Sequence, residues 1–140
     1  MEIMPLKGSG PIRFGMNRAS IVKILGKPDS QFKRNPFAEI IEVVYEKKYS
    51  IGFDSSDICI EILFFPDSKP TLNGVELLSM PAKDAQKIIQ KMDPKFTFEN
   101  DTIFSKKLGI GIITYDFNES PEDPGTALLL LSQEALDKYY

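Results

Sequence analysis

Residues 45–53 read Tyr-Glu-Lys-Lys-Tyr-Ser-Ile-Gly-Phe, and residues 104–112 read Phe-Ser-Lys-Lys-Leu-Gly-Ile-Gly-Ile. Both lysines, the isoleucine and the following glycine recur at a constant offset, and aromatic or apolar residues match at most other positions. Upstream, residues 23–27 align with residues 87–91 at a slightly larger offset. A repeat of this length indicates one supersecondary unit used twice.

Each matched stretch is preceded by a helical pattern. Asn17 is a good N-cap for a helix over residues 17–25, and Gly26 ends that helix. Pro81 suits the first turn of a second helix, over residues 81–92. Strand-like stretches cover residues 39–45, 49–53, 58–65, 96–98, 102–105, 108–117 and 126–131, and a last short helix covers 133–140.

An amphipathic helix needs an apolar sheet face against which it can bury its own apolar side. We therefore predict an α+β fold, built as a tandem α-β-β-β repeat, with one antiparallel sheet and the helices packed on one face. The chain is predicted to be a single domain, residues 1–140, with pseudo-repeats at about residues 10–66 and 75–132.

Composition removes several classes of function. The chain of 140 residues has no histidine, which is the commonest general base and metal ligand, and a single cysteine. We expect Cys59, between two isoleucines of a strand, to be a buried, inert thiol. The predicted protein is not an enzyme, has no catalytic residues and needs no cofactor or metal. An enzyme that uses only carboxylates, lysine and tyrosine is an alternative.

Charge and hydropathy indicate where the protein acts. The formal net charge of −3 and the pI near 5.0 argue against a nucleic-acid partner, which selects a basic surface. The start of the chain lacks the cationic and apolar regions of a signal peptide, and the longest apolar run, residues 127–131, is far too short for a bilayer. We therefore expect a cytoplasmic location and no membrane association.

The first half carries the pattern G-P-I-x-F-G-M over residues 10–16, followed by Val22 and by L-G-x-P at residues 25–28. This pattern resembles the opening of small bacterial proteins with the SmpA/OmlA-like, β-lactamase-inhibitor-protein-like fold, some of which are toxin-immunity proteins. The resemblance implies a helix that precedes an antiparallel sheet, and tandem copies that form a concave protein-binding surface. Lipoproteins of this fold have a leader and a lipidated cysteine, and secreted inhibitors have disulfides; this chain shows neither.

Acidic residues are concentrated in two turns. The loop at residues 115–123 contains four carboxylates and no lysine or arginine. Because neighbouring strands alternate in direction, we expect this loop and the turn at residues 54–57 to share one end of the sheet, with the Lys-Lys turns at 47–48 and 106–107 at the other. The predicted partner-binding residues are Asp54, Asp57, Tyr115, Asp116, Phe117, Glu119, Glu122 and Asp123. A calcium site is an alternative, although the loop lacks the D-x-[DN]-x-[DN]-G spacing.

The function that these observations favour is a non-catalytic protein-binding module. Its most concrete form is a bacterial immunity protein that inhibits a basic toxin domain, such as a nuclease, by direct binding. The alternative is a small-ligand carrier, or an envelope-assembly accessory protein, that uses the concave face of the sheet.

Overall fold

The computed structural model describes residues 1–34, 40–46 and 48–140. Its helices are α1 (Arg18–Leu25), α2 (Ala82–Met92) and α3 (Gln133–Tyr139). Its strands, in chain order, are β1 (Ile3–Met4), β2 (Gly8–Ser9), β3 (Ile12–Arg13), β4 (Ser30–Lys33), β5 (Ile41–Tyr45), β6 (Tyr49–Phe53), β7 (Cys59–Phe64), β8 (Thr71–Leu72), β9 (Val75–Glu76), β10 (Thr97–Glu99), β11 (Thr102–Ser105), β12 (Ile110–Ile113) and β13 (Ala127–Leu131).

The helices begin where their capping residues predict. Asn17 Oδ1 accepts a hydrogen bond from the Ser20 amide at 2.8 Å, at the start of α1. Ser132 Oγ accepts from the Ala135 amide at 3.0 Å, at the start of α3. None of the helices within the described residues is long and apolar enough to cross a membrane.

Eight strands form one antiparallel sheet, in the order β10-β11-β12-β13-β7-β6-β5-β4. At its centre β7 pairs with β13, so that Phe64 lies opposite Leu128 and Glu61 lies opposite Leu131. In each half of the chain one helix precedes four consecutive strands, α1 before β4 to β7 and α2 before β10 to β13, and not the three strands of the predicted α-β-β-β unit. The predicted α+β class with an antiparallel sheet is confirmed.

The strand predictions need three corrections. The short strands β1 to β3 and β8 to β9 were not predicted, and they form two small sheets in addition to the eight-stranded one. β4 was not predicted, because all four of its residues are exposed at the edge of the sheet and so carry no alternating apolar pattern. The strand predicted over residues 108–117 is limited to β12, because its polar and acidic end forms a turn. Residue 39, at the start of another predicted strand, lies outside the described residues.

The two faces of the sheet carry different helices. Ile21 of α1 and Ile89 of α2 are fully buried in one core, together with the sheet residues Ile51, Ile62 and Ile112. Ala135 and Leu136 of α3 belong to a second, smaller core that also includes Ile60 and Leu131. The prediction that the helices pack on one face therefore holds for α1 and α2 and is wrong for α3.

A buried polar cluster fixes the end of α2 to the sheet. The Asp93 carboxylate accepts a hydrogen bond from Ser105 Oγ at 2.8 Å and another from the Lys95 amide at 3.0 Å. Ser105 Oγ in turn accepts from the Leu108 amide at 3.1 Å. Asp93 and Ser105 are buried, so water cannot replace either partner.

We expect Asp93→Ala to lower the free energy of unfolding by about 2–3 kcal/mol, because it leaves the Ser105 hydroxyl and the Lys95 amide without their acceptor. Asp93→Asn, which keeps an acceptor oxygen, should lower it less. Urea denaturation followed by circular dichroism measures both changes. Lys87→Ala, at an exposed position of α2, is the control and should stay within about 0.5 kcal/mol of the parent protein.

Candidate functional site

The acidic loop, residues 115–123, connects β12 to β13 and is held in a defined conformation. The Asp101 carboxylate accepts a hydrogen bond from the Phe117 amide at 3.2 Å. The Phe117 ring packs against the Phe98 ring, with their centroids 4.9 Å apart. Phe117 therefore anchors the loop to the core, whereas Tyr115 is 80% exposed and free to meet a partner.

The other end of the loop covers the start of α2. The carbonyl oxygens of Pro121 and Asp123 accept hydrogen bonds from the Lys83 and Ala82 amides, at 3.1 and 2.9 Å. The Glu122 carboxylate forms an ion pair with Lys83 at 2.5 Å, and this hydrogen bond raises the pKa of the Lys83 ammonium. These contacts satisfy amides that a helix start leaves without partners.

The exposed carboxylates of the loop differ in their pairing. Glu122 is committed to Lys83, whereas the carboxylates of Asp116, Glu119 and Asp123 form no ion pair within the described residues. Three unpaired carboxylates on a fixed loop create a local negative potential. Of the four carboxylates predicted in this loop, those of Asp116, Glu119 and Asp123 are thus without an ion-pair partner among the described residues.

Asp54 and Asp57 lie at the other end of the sheet from the acidic loop. In the antiparallel β7–β13 pair, Glu61 near the start of β7 lies opposite Leu131 at the end of β13. The turn with Asp54 and Asp57 precedes β7 and therefore lies at this end. The acidic loop precedes β13 and lies at the other end, where Leu128 is opposite Phe64. The prediction that the two acidic sets share an end is wrong, because the antiparallel β7–β13 pair inverts the second half of the sheet relative to the first.

The same inversion separates the two Lys-Lys turns. Lys48 lies at the acidic-loop end, and the turn at residues 106–107 lies at the opposite end. Lys47 lies outside the described residues. The predicted division of the sheet into one basic and one acidic end is therefore also wrong.

Asp54 and Asp57 both have local structural partners. Asp54 is buried, and its Oδ1 accepts hydrogen bonds from the Ser56 and Ile58 amides at 2.9 and 3.0 Å. The Asp57 carboxylate forms an ion pair with Arg18 at 3.1 Å, at the start of α1. These contacts close the β6–β7 turn and tie it to the helix.

The sheet surface that faces away from α1 and α2, here called the reverse face, carries one residue from each of the eight strands in a continuous row. Strand pairing places these residues directly opposite one another in the order Thr97, Phe104, Gly111, Leu129, Leu63, Ser50, Val44 and Ser30. Side chains of alternate strand residues point to the same face, so neighbours two residues away complete this surface.

A hollow of about 310 Å³ opens on the reverse face, in the half of the sheet formed by β10 to β13. Phe104, Gly111, Leu129 and Ile113 contribute to its lining, and Tyr140 stacks on Phe104 with the ring centroids 6.2 Å apart. These residues were predicted only as strand or terminal positions. The signal that distinguishes them is the pairing of Phe104, Gly111 and Leu129 across three strands, which the sequence alone does not reveal.

A second hollow, of about 490 Å³, lies on the other half of the reverse face. Val44, Phe65, Pro66 and Asp67 line it. Its position gives the reverse face an apolar depression in each half of the sheet.

A charged cluster lies on the reverse face at the opposite end from the acidic loop. Glu61 is buried, with its side chain 2% exposed, and one of its oxygens contacts the Arg34 guanidinium. Arg34 also contacts Glu42, at 3.4 Å. The Glu61 stem occupies the space beside Gly52, where an added Cβ would lie 2.5 Å from Glu61 Cγ. Gly52 is thus required for Glu61 to lie flat on the sheet.

Cys59 is fully buried on β7, and burial raises the pKa of its thiol from 9.0 to about 12. We expect iodoacetamide at about pH 8 to leave Cys59 unmodified in the folded protein and to alkylate it in guanidinium chloride, as read by mass spectrometry. Between about pH 9 and pH 12 the unfolded chain loses a proton that the folded chain keeps, so stability should fall as the pH rises. Rapid alkylation of the folded protein would contradict the buried position.

Within the described part of the chain, no group of three or more histidine, cysteine, aspartate or glutamate side chains is arranged to hold a metal ion. Comparison with protein-family models, with curated proteins and with solved structures gives no match.

Proposed function

We propose that this protein is a non-catalytic protein-binding module, and specifically a bacterial immunity protein that acts in the cytoplasm. It inhibits a toxin domain by direct binding. The observation that carries the proposal is the acidic loop, which presents Asp116, Glu119, Asp123 and the 80% exposed Tyr115 on a backbone fixed at both ends. A fixed loop binds at a lower entropic cost than a mobile one.

The proposed partner is basic. A nuclease domain attracts phosphate groups, so its active site presents lysine and arginine, and an acidic loop has the complementary charge. Exposed tyrosine is enriched in protein interfaces because its ring buries a large area while its hydroxyl keeps a polar partner. An interface of about 800 Å² on each partner is within the reach of a protein of this size.

The proposal includes the tandem repeat, with pseudo-repeats at about residues 10–66 and 75–132. Its support is the order of elements, one helix and four strands in each half, and the mirrored strand order about the β7–β13 pair. Gly52 and Gly111, which match in the repeated stretch, both lie on the reverse face. A duplicated unit of this kind forms one wide sheet from two small ones.

The direct test is co-expression with the product of the neighbouring gene. We expect this protein to restore growth when that product is toxic, and the two purified proteins to bind in isothermal titration calorimetry. Binding should be tighter at about 0.05 M than at about 0.5 M salt. No protection and no binding would overturn the proposal.

The alternative function, a small-ligand carrier or an envelope-assembly accessory protein, is favoured by the two apolar hollows of the reverse face. A carrier encloses most of its ligand, whereas both hollows are open to solvent. A thermal-shift screen discriminates between the two functions, since a carrier should be stabilised by a small apolar compound without any protein partner.

A further inference from the structure

We propose that the hollow on the reverse face receives one apolar side chain, aromatic or long aliphatic, from a basic segment of the protein partner. This inference rests on the proposed function and names the point at which the partner is anchored. The evidence is the space above a glycine in its floor, the chemistry of the lining and the charge at its rim.

The two glycines that match in the repeated stretch, Gly52 and Gly111, differ in the space above them. Gly52 pairs with Glu61, whose stem fills the space above the glycine. Gly111 pairs instead with Leu129, and an added Cβ there would meet its nearest neighbours only at 3.6–3.8 Å, on Phe104, Thr102 and Leu129. That distance is ordinary van der Waals contact, so a methyl-sized group fits above Gly111 without displacing its neighbours.

The lining is apolar at the floor and polar at the rim. Phe104, Ile113 and Leu129 offer aliphatic and aromatic surface, and Tyr140 forms a wall beside Phe104. Each Å² of apolar surface that a partner removes from water contributes about 25 cal/mol of favourable free energy. The floor therefore favours an apolar group.

The rim favours a positive charge beside that apolar group. Glu99 is the charged side chain in the lining, among the residues that the structure describes, and it is exposed. It lies in the β10–β11 hairpin next to Asp101, whose carboxylate holds the acidic loop through Phe117. Lysine or arginine on either side of an apolar residue matches this arrangement.

A segment of a protein fits this site better than a free small molecule does. The hollow is open to solvent on one side, so a free apolar compound would keep much of its surface in water. A side chain held in a partner's surface has its exposed side covered by the rest of the interface. Buried anchors of this kind, surrounded by a polar rim, contribute most of the affinity of many protein complexes.

The test uses short peptides as probes. This chain contains no tryptophan, so a tryptophan in the peptide is the sole source of tryptophan emission in the mixture. The probe is acetyl-Lys-Lys-Trp-Lys-Lys-amide. The first control peptide replaces the tryptophan by alanine and competes with the probe, and the second replaces every lysine by glutamate. We expect the probe to bind with a Kd of about 1 mM or tighter, with blue-shifted emission, and each control to bind at least about tenfold more weakly.

Gly111→Val fills the hollow with a residue that suits a strand, and we expect it to weaken probe binding by at least about tenfold. Tyr140→Ala removes the wall at the last residue of the chain and is a second variant, should the first fail to fold. Ser30→Val adds the same apolar group at the far end of the same row and is the matched control, with binding unchanged.

Equal binding of the lysine and glutamate peptides, or binding that both Gly111→Val and Tyr140→Ala leave unchanged, would overturn the anchor proposal. So would the absence of saturable binding up to about 10 mM probe. None of these results depends on the toxin. If the Gly111→Val protein still protects against the toxin and binds it with unchanged affinity, the anchor proposal is rejected and the proposed function stands. If the parent protein gives no protection against the toxin, the proposed function alone is rejected.

Discussion

Arg34→Ala is expected to lower the free energy of unfolding by about 3 kcal/mol, the larger of the two effects on stability predicted for this protein. Glu61 has only 2% of its side chain exposed, and its charge is balanced by Arg34 at the edge of the sheet. Removing the guanidinium leaves a buried carboxylate with no positive partner among the described residues. A buried charge without a partner is far more costly than the pair itself is stabilising.

Glu61→Gln in the Arg34→Ala background tests whether the stranded charge is the cause. The amide has the same shape and carries no charge, so the double variant should recover most of the lost stability. Urea denaturation with a fitted m-value gives the free energies. If the double variant is as unstable as Arg34→Ala alone, lost packing of the arginine stem, and not the charge of Glu61, explains the effect.

Local sequence signals predicted the helices of this fold well. Asn17 and Ser132 accept the expected amide hydrogen bonds, and α1 and α2 begin and end within a residue of the predicted limits. Capping is decided by residues a few positions apart, so a short stretch of sequence contains the necessary information. The same is true of the strands that have an apolar alternation.

Long-range pairing could not be predicted in the same way. The sheet joins its halves through β7 and β13, which are far apart in the chain, and no local pattern specifies that pair. The second half of the sheet can follow the first by translation or be inverted relative to it. This arrangement decides at which end of the sheet each turn of the second half lies. The inverted arrangement places Asp54 and Asp57 at the end of the sheet opposite to the acidic loop. β4 shows a second reason why sequence patterns miss some elements. All its residues are exposed at the edge of the sheet, so its sequence has no alternation of apolar and polar residues.

The sequence predicted the negative charge of the candidate site but not the tertiary contacts of its side chains. The four carboxylates of the acidic loop are evident in the sequence, and their exposure is expected for a polar loop with prolines. The ion pair of Glu122 with Lys83 and the packing of Phe117 on Phe98 depend on how the loop meets α2 and β10. These tertiary contacts reduce the set of residues that are free to bind, and they guide the choice of substitutions.

Reversal of two free carboxylates of the acidic loop is expected to have the largest effect on binding. The variant is Glu119→Lys with Asp123→Lys; it leaves the Glu122–Lys83 pair in place, so the loop should keep its conformation. Against a basic toxin domain at about 0.05 M salt, we expect the association rate constant to fall by about 10- to 100-fold. Its dependence on salt should flatten as well, because long-range attraction steers the encounter and salt screens it. Stopped-flow fluorescence measures both quantities.

The control must change the net charge by the same amount at another place. Glu134→Lys with Asp137→Lys does so on the exposed side of α3, outside the acidic loop. If steering comes from the loop, this control should change the association rate much less than the loop variant does, since the field of a charge is screened within about 10 Å at 0.1 M ionic strength. Equal slowing by both variants would show that net charge attracts the partner. An unchanged rate in the loop variant, with Lys106→Glu at the opposite end abolishing binding, would show that the partner docks at the other end of the sheet.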